Sequence, residues 1–428
     1  MKIKNIKQII RGWFPTEPKV SNNWSKNKTI ITISVLISFS LIVIFIINSS
    51  IMVFVGAYHV LWTQNYEGLE AGDVVETSDR GIVFVLHSLG SYQLVNTDES
   101  GNLVWNQTYS GTGRRSTSSL IECLDGGLIL ASRSETNFDD GYHYHWLTKL
   151  DNSGNMVWNQ TYRSNELREV ITVVEVSDGG FALGGQIFPL ETNNTLLDSD
   201  FWLAKVDKSG NMLWNKTYGG AHGDVCLSLI ETSDGGFALA GHTASFGKIF
   251  DYWLVKTDRF GNMLWNQTYG EEIHRQPAQQ VIETSEGGFV LASTTMQLDG
   301  NMDFWFAKTD KNGNLVWKKT YGEENRERLI SLVSSSDGGF VLVGNIYEGE
   351  NEEDDFRNNN FGKGWLVKID ESGNMVWNQT YSDTSFSVGS NTLIGTSDRG
   401  YVLLGNKNLT DKTNEVWVAK IEEEPKLR

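Results

Sequence analysis

The stretch DRFGNMLWNQTY at residues 258–269 recurs along the chain and decides the fold. Its Trp-Asn-x-Thr-Tyr part has seven copies, of which the first is the degenerate WTQNY at 62–66. The repeated tryptophans are Trp62, Trp105, Trp158, Trp214, Trp265, Trp317 and Trp377. They lie roughly 40 to 60 residues apart, which is the repeat length of β-propeller blades.

Two further motifs recur in a fixed order with the first. One is SDGGF at 177–181, 233–237 and 336–340, with the variants SDRGI at 78–82, LDGGL at 124–128, SEGGF at 285–289 and SDRGY at 397–401. The other is Trp-Leu-x-Lys-x-Asp-x-x-Gly-Asn, clearest at 202–211, 253–262, 305–314 and 365–374. Glycines in both motifs supply the positive φ that tight hairpin turns require. Each copy therefore predicts four antiparallel strands, A to D.

The order of the predicted strands indicates a closed ring. The first strand, predicted at 60–66, is a D strand, whereas the last copy stops after its C strand, predicted at 416–421. Adding the first strand to the last sheet completes seven four-stranded blades and leaves no terminal blade exposed. The sequence thus predicts an all-β, seven-bladed propeller at 58–421, followed by a short tail at 422–428.

The Asp-x-x-Gly-Asn-x-x-Trp pattern resembles the tryptophan-docking repeat of pyrroloquinoline-quinone-like propellers. The whole repeat, over roughly residues 58–421, is similar to that of prokaryotic, especially archaeal, cell-surface propeller proteins. The resemblance implies that a Trp of each blade packs against the neighbouring blade, and that many members are scaffolds or binding platforms without a cofactor. The residues implied are Trp105, Trp158, Trp214, Trp265, Trp317 and Trp377.

The N-terminal part differs from the propeller in composition. Residues 1–28 hold seven basic residues against the single acid Glu17, although the whole chain carries a net charge of −17. The segment 30–47 is apolar except for hydroxyl residues, and a second apolar run follows at 51–57. We therefore predict a transmembrane signal-anchor helix at 29–57, with a cytoplasmic leader at 1–28 and an extracellular propeller. A signal peptide cleaved after Ala57 is the alternative.

The acidic body argues against a nucleic acid partner, because phosphate binding needs clustered Lys and Arg. Cys123 and Cys226 fall in non-adjacent repeats, so no bond between them is expected. A quinone-dependent dehydrogenase of the resembled class would carry adjacent cysteines and a calcium site of carboxylates at the ring centre. Neither is found, and we predict no cofactor and no catalytic residue.

Three weaker resemblances to catalytic or metal motifs have structural explanations. The Asp-x-x-Gly turns loosely resemble the sialidase Asp-box, but an Asp at a hairpin start is expected for its side-chain-to-backbone bond. The turn after Asp310 differs from a calcium loop, because Gly313 is fourth rather than sixth and Tyr321 stands at the twelfth position. His143 and His145, with Asp139 and Asp140 before them, are weak candidates for a metal site that lacks a nameable third ligand.

Asn-x-Thr sequons recur in the predicted D strands, which form the outer edges of the blades. They are possible N-glycosylation sites, although the Asn–Thr pair could repeat only because the blade repeats. The candidates are Asn106, Asn159, Asn215, Asn266 and Asn378 in D strands, and Asn193 and Asn408 elsewhere.

Loop lengths carry the functional prediction. The A–B and C–D turns are short and nearly constant, whereas the B–C connections at 132–144, 186–200 and 349–364 are long and dissimilar. Constant turns indicate a scaffold and diverse loops a recognition surface. We expect a membrane-anchored, non-catalytic binding or adhesion scaffold that binds a protein or glycan ligand through its variable B–C and D–A loops. The alternative is a membrane-tethered hydrolase or quinone-like oxidoreductase with a site in the central channel. The candidate recognition residues are Arg114, Arg115, Asp224, Glu271, Glu272, Arg275, Glu323, Glu324, Arg326, Arg328, Asp354 and Asp355.

Overall fold

Seven antiparallel sheets form the propeller, as the sequence predicts. The computed structural model describes residues 34–37, 40–47, 50–54, 58–67, 70–88, 91–110, 115–134, 143–164, 167–188, 199–247, 251–270, 280–296, 301–322, 325–347, 363–381, 384–386, 392–408 and 414–423. The chain divides into two compact units, one of residues 61–422 and one of residues 1–60 and 423–428. The propeller is the first of these units.

Blades 1 to 6 each consist of four strands that follow one another along the chain, in the order A-B-C-D. Blade 1 is β5 (Glu70–Glu76), β6 (Ile82–Ser88), β7 (Ser91–Thr97) and β8 (Leu103–Ser110). Blade 2 is β9 (Arg115–Glu122), β10 (Leu128–Ser134), β11 (His143–Leu150) and β12 (Met156–Ser164). Blade 3 is β13 (Leu167–Glu175), β14 (Phe181–Ile187), β15 (Asp200–Val206) and β16 (Met212–Tyr218).

The next three blades repeat this arrangement. Blade 4 is β17 (Asp224–Glu231), β18 (Phe237–Thr243), β19 (Asp251–Thr257) and β20 (Met263–Tyr269). Blade 5 is β21 (Gln280–Glu283), β22 (Phe289–Met296), β23 (Met302–Thr309) and β24 (Leu315–Tyr321). Blade 6 is β25 (Arg326–Ser334), β26 (Phe340–Tyr347), β27 (Lys363–Ile369) and β28 (Met375–Tyr381).

Blade 7 is assembled from both ends of the propeller sequence. Its strands are β29 (Thr384–Phe386), β30 (Leu393–Gly395), β31 (Gly400–Asn408), β32 (Asn414–Glu423) and, from the start of the chain, β4 (Tyr58–Glu67). The two short pieces β29 and β30 both pair with β31, so together they form the inner strand, and β4 lies outermost beside β32. The predicted closure of the ring is therefore confirmed.

Burial follows strand position, which explains the residue types. Every residue of strand C in blade 4 is buried, whereas the D strand beside it is largely exposed. The apolar B and C strands pack face to face between neighbouring blades. At the boundary between blades 7 and 1, for example, Phe84 and Val95 pack with Val402 and Val418 in one cluster. The core is thus a ring of inter-blade layers.

The repeated Trp of six D strands, those of blade 7 and blades 1 to 5, lies against the C–D turn of the next blade. A Cβ at Gly261 would lie 2.8 Å from Cζ3 of Trp214, and the φ of Gly261 is +73°, so only glycine suits this position. The Tyr218 hydroxyl donates to the carbonyl of the same glycine at 2.7 Å. The same Trp–Gly approach joins Trp62 to Gly101, Trp105 to Gly154, Trp158 to Gly210, Trp265 to Gly313 and Trp317 to Gly373.

The N-terminal unit holds a small antiparallel sheet, β1 (Ser34–Ile37), β2 (Ser40–Ile47) and β3 (Ser50–Phe54). The transmembrane helix that the sequence predicts at 29–57 is therefore not shown. Of the residues that the structure describes, none form a helix with the length and apolar character that crossing a bilayer requires. The leader at 1–28 and the tail from 424 lie outside the described residues.

Candidate functional site

The A–B and C–D turns lie at one end of the propeller, here called the turn end. The polar side chains of these turns form hydrogen bonds within the propeller. In the turn after strand C of blade 3, Asp207 Oδ1 accepts from the backbone N–H of Ser209 at 2.9 Å and of Asn211 at 2.8 Å. Its Oδ2 accepts from Asn211 Nδ2 at 2.9 Å. These Asn hydrogen bonds hold the pKa of Asp207 below its usual range. The corresponding carboxylates, Asp310 included, make the same bonds.

The A–B turns are tied to the next blade by glutamates that the sequence analysis did not single out. Glu231, the last residue of β17, accepts from the backbone N–H of Ser177 at 2.9 Å and from its hydroxyl at 2.6 Å. Glu122, Glu175 and Glu283 accept from the A–B turns of blades 1, 2 and 4. Glu76 closes the ring by accepting from Ser397 N at 2.7 Å. The available signal was a Glu two residues before the Ser-Asp-Gly-Gly motif.

Buried lysines of the C strands complete this end. Lys256, whose side chain is only 6% exposed, donates to Asp234 Oδ1 at 2.9 Å. Burial alone would raise the pKa of Asp234, but hydrogen bonds from Thr232, Lys256 and the Gly236 backbone outweigh it and lower that pKa to about 2. Equivalent pairs occur in blades 2, 3, 5, 6 and 7. The Lys of the third motif is therefore a structural ion-pair partner of the Asp or Glu in the second.

A cavity of about 610 Å³ is lined by the inner strands of blades 1 to 6. Its wall has two different flanks. Blades 3 to 6 supply aliphatic side chains, among them Ile171, Leu227, Ile282 and Ile330. Blades 1 to 3 supply polar and charged side chains near the starts of A strands and the ends of B strands. The polar lining of blades 1 to 3 includes Glu70, Asp73, His87, Thr117, Arg133, Glu169 and Gln186, and Ser228 and Gln280 add polar groups from blades 4 and 5.

That polar flank lies toward the opposite end of the propeller, here called the loop end, where the B–C and D–A connections meet. Arg133 donates to Glu169 Oε1, and Gln186 donates to Glu169 Oε2 at 2.9 Å. Asp73, which is almost fully buried, accepts from the backbone N–H of Leu120 at 2.6 Å and of Val74 at 3.1 Å. Asp73 therefore joins the inner strands of blades 1 and 2, whereas the Arg133–Glu169–Gln186 group lines the cavity.

His87 and Thr117 form the second polar contact of this flank. The Thr117 hydroxyl lies 2.9 Å from His87 Nε2, and the His87 Nδ1 atom has no hydrogen-bond partner among the described residues. Burial lowers the pKa of His87 to about 4, so the imidazole is neutral at pH 7. A hydroxyl beside a neutral imidazole can exchange a proton, but the described residues supply no group that orients Nδ1.

A pair of carboxylates lies at the loop end between blades 3 and 4. Asp224 is completely buried and accepts from Ser245 Oγ at 2.8 Å, from Gly220 N at 2.9 Å and from the Thr243 hydroxyl. Burial and the charge of Asp224 raise the pKa of Asp200 to about 6. Asp224, which the sequence analysis places among recognition residues, is therefore a buried support of the loop end and not a surface contact.

The other sequence-predicted residues are placed as follows. Arg326 and His145 are buried, and Arg328 is half-buried. No group of three metal-binding side chains occurs within the part of the chain that the structure describes. The side chains of His143, Arg115 and Asn408 lie outside the described set, as do residues Arg114, Asp139, Asp140, Asn193, Glu271, Glu272, Arg275, Glu323, Glu324, Asp354 and Asp355. Cys123 and Cys226 are free and buried, and burial raises their pKa values to about 11 and about 12.

The D-strand sequons are all at the surface. Asn106, Asn159, Asn215, Asn266 and Asn378 have exposed side chains. In two of these five, the Asn Oδ1 accepts from a buried indole of strand C: Trp253 to Asn266 at 3.1 Å, and Trp365 to Asn378 at 3.4 Å. The Asn amide is thus held at its oxygen in these blades.

No family model and no curated protein matches the chain. Solved structures that resemble it share 8–14% sequence identity with it. Puromycin hydrolase aligns at 14% identity with a TM-score of 0.48, over 79% of this chain and 50% of that one. BBS1N, from a complex with ARL6DN, aligns at 8% identity with a TM-score of 0.48, over 87% of this chain and 98% of that one. A protein of unknown function from Bacteroides caccae aligns at 12% identity and 0.40 over 66% of this chain and 90% of that one. Similarity this distant bears on the fold alone.

Proposed function

We propose that the chain is a membrane-anchored, surface-displayed propeller of the pyrroloquinoline-quinone-like repeat type that binds a protein or glycan ligand at its loop end without catalysing a reaction. The observation that carries this proposal is the contrast between the two ends. At the turn end, the repeated Asp, Glu and Lys side chains form the same hydrogen bonds and ion pairs from blade to blade within the propeller. At the loop end, side chains that do not repeat from blade to blade surround the cavity.

The cavity mouth supports binding because it combines polar and apolar surface within one concave site. Such sites use a few placed polar groups for orientation and apolar walls for affinity. Glu70, Arg133 and Glu169 offer charges of both signs, and Ile171 and Leu227 offer apolar contact. The long connections at 132–144, 186–200 and 349–364 lead to the same end, because each of them joins a B strand to a C strand.

The proposal of a membrane anchor rests on the composition of the N-terminal segment and on the inability of lipid hydrocarbon to form hydrogen bonds. Residues 30–47 and 51–57 are mostly apolar and follow a basic leader. An open three-stranded sheet leaves N–H and C=O groups unpaired at its edges, which hydrocarbon does not tolerate. In a bilayer we therefore expect the segment 29–57 to be helical, with the propeller outside the cell.

Ligand binding can be tested by pull-down from an envelope extract with the purified full chain. We expect a specific partner to be captured by the parent chain and lost with the paired change Glu70→Ala and Arg133→Ala at the loop end. The matched control changes two exposed residues of the C–D turns, Lys208→Ala and Lys311→Ala, which should keep the partner. Capture that survives the first pair and fails with the second would contradict the proposed binding end.

Orientation can be tested on intact cells with an impermeant maleimide. We propose, from the order of the sequence alone, that the loop end faces away from the cell, because the apolar segment is followed by strand β4, which begins at the turn end. Single cysteines at Asn194 or Asn351 should label faster than cysteines at Ser209 or Asn312. The native cysteines are buried and should contribute little background. Equal rates, or the reverse order, would argue against this orientation.

One observation favours the second candidate, a membrane-tethered enzyme with a site in the channel. Five ionisable side chains line the cavity, and the Thr117 hydroxyl contacts a neutral imidazole. Most of them are already engaged, however: Arg133 with Glu169, Asp73 with two backbone amides, and His87 with Thr117. A hydrolytic activity of the purified chain that is abolished by both His87→Ala and Thr117→Val would favour the enzyme over the scaffold.

A further inference from the structure

The D strands of the propeller have two different sides. On one side, Trp105 and Tyr109 of blade 1 face blade 2, where Trp105 approaches Gly154 and the Tyr109 hydroxyl donates to its carbonyl. Residues alternate in direction along a strand, so Asn106 and Thr108 point to the other side. Both of these side chains are exposed. Packing between blades therefore uses the Trp–Tyr side and leaves the Asn–Thr side to solvent.

The same strands are the exposed edges of the sheets. Each D strand is outermost in its sheet, so one row of its backbone N–H and C=O groups faces away from the blade. In each, two exposed apolar residues precede the repeated Trp, such as Leu103 and Val104, which are both 59% exposed. An exposed edge strand with apolar side chains can pair with a strand of another chain, and proteins commonly protect such edges.

The residue at the Asn position indicates how these edges are protected. Five D strands have the sequon Asn-x-Thr there, centred on Asn106, Asn159, Asn215, Asn266 and Asn378. In blade 5 the sequon is absent, and the exposed Lys318 stands in place of the Asn, followed by Lys319. Lysine is a common protecting residue of edge strands. In blade 7, the strand β4 carries the exposed Thr63 at this position.

The indole bond from strand C does not account for the sequon. Trp253 donates to Asn266, but blade 1 keeps its sequon although Gln93 stands where the other blades have this Trp. Blade 5 keeps its Trp305 and has Lys318 in place of the Asn. Asn and Trp are thus retained independently of each other, so the indole bond is not what requires Asn-x-Thr.

We propose that Asn106, Asn159, Asn215, Asn266 and Asn378 are N-glycosylated and that their glycans protect the outer edges of five blades. In the reaction, Asn Nδ2 forms a bond to the anomeric carbon of an oligosaccharide carried on a lipid phosphate. The bond from that carbon to the phosphate oxygen breaks, the phosphate leaves with the electron pair, and the amide nitrogen loses a proton. This inference rests on the export of the propeller proposed above.

The first test measures glycopeptide masses of the full chain purified from the cells that produce it. We expect a saccharide mass on at least three of the five Asn, and one additional modified site in the variant Lys318→Asn, which restores the sequon with Thr320. The control Thr320→Ala in that background should remove the additional site. Modification at two or fewer of the five overturns the proposal. Maleimide labelling of the same cells shows whether the chain is exported. A chain that is exported but carries no glycans overturns the glycosylation inference alone. A chain that is not exported overturns both this inference and the proposed surface display.

The second test separates edge protection from a structural role of the Asn. One variant replaces all five Asn with Gln, and a matched variant replaces all five with Lys, as blade 5 does naturally. Light scattering of the detergent-solubilised chain should show larger assemblies for the Gln variant and the parent assembly size for the Lys variant. If both variants keep the assembly size of the parent chain, the glycans do not protect the edges. The same conclusion follows if the melting temperatures of both variants fall by the same amount and both variants associate equally.

Discussion

Blade 4 and blade 7 have the same four-stranded form, but they are built and held differently. Blade 4 comes from one stretch of chain, and its A strand is the continuous β17, whereas the inner strand of blade 7 is two short pieces and its outer strand comes from the other end of the sequence. Trp214 docks on a C–D turn of blade 4 through Gly261. In blade 7, β32 is the last described strand, so Trp377 has no such turn glycine among the described residues.

The Ser–Glu contact of the A–B turns shows the same difference. Glu231 of blade 4 receives the turn of blade 3, but Ser334 of blade 6 and Gly395 of blade 7 stand where the other blades have this Glu. The boundary between blades 6 and 7 therefore lacks the Ser–Glu contact that joins blades 3 and 4. On its other side, blade 7 is bound to blade 1 by Glu76, Trp62 and a shared apolar cluster. Closure depends on the joint between blades 7 and 1.

The largest expected effect follows from removing that closure. Deleting Tyr58–Glu67 takes away the outer strand of blade 7 and the ring of Trp62 that lies against Gly101. We expect aggregation or loss of a single cooperative unfolding transition, because the exposed C strand becomes a free edge. Differential scanning calorimetry and light scattering measure both. A deletion of the tail 424–428 is the control, and equal melting of both chains would mean that β4 does not close the ring.

Trp214→Ala should cost about 3 kcal/mol, because truncating a large buried aromatic typically costs 3–5 kcal/mol and Trp214 is only partly buried. Trp377→Ala should cost clearly less, since its blade boundary lacks the docking glycine among the described residues. Urea unfolding of both variants gives the two free energies. A larger loss for Trp377 would reverse the comparison between the blade boundaries.

Asp200→Asn should make stability less dependent on pH. The folded-state pKa of Asp200 is raised to about 6 by burial and by Asp224, so its protonated form is favoured in the fold. Its contribution is therefore present below the unfolded pKa of about 4 and is lost as the pH rises through 6. We expect the variant to be more stable than the parent at pH 7.5 by about 1 kcal/mol or less, because solvent screens this half-exposed group.

The same comparison at low pH is the control for Asp200→Asn. The gain should disappear near pH 4, where the parent Asp200 is protonated too. A variant that gains equally at both pH values would show that charge repulsion is not the cause.

Ser334→Glu should have the smallest effect, and it should stabilise the fold. It would place a carboxylate where Glu231 accepts from Ser177, and Ser285 of blade 5 would be the donor. A typical intramolecular hydrogen bond contributes roughly 0.5–1.5 kcal/mol net, and solvent exposure keeps the contribution of this charged pair small. We expect a gain near the lower limit in urea unfolding and a loss of similar size for Glu231→Gln. A destabilised Ser334→Glu variant would mean that the turn of blade 5 cannot reach the new carboxylate.

The fold could be predicted because the three motifs repeat at the points where geometry is most restrictive. In the fourth copy, the sequence analysis gives the turns at Asp234 and Asp258, and the structure has them there with Gly235 and Gly261 at positive φ. The split inner strand of blade 7 could not be predicted, because its piece Leu393–Gly395 has the same local pattern as a continuous strand. Strand pairing at the ring closure, by contrast, followed from simple counting.

The candidate site was harder to predict because its residues do not repeat. His87, Arg133 and Gln186 stand at the ends of B strands, where the sequence resembles any other strand end. They come together only because the inner strands of different blades converge around one axis. The burial of Asp224 could not be predicted for a similar reason: its partners are Thr243, the last residue of β18, and Ser245, which follows that strand, and no local pattern indicates that both contact the start of β17.

The docking of each Trp on the next blade has a consequence for assembly between molecules. The contact is head-to-tail: a blade offers a Trp on one side and a turn glycine on the other, as in Trp214 and Gly261. Interfaces of this kind give a closed ring if the rotation per unit suits the number of units, and otherwise an open chain without a natural end. The strand β4 thus closes the ring and also prevents the addition of further blades. Without it, the last blade of one molecule would offer its vacant side to the first strand of another, and the repeat that folds a single ring would favour domain-swapped chains.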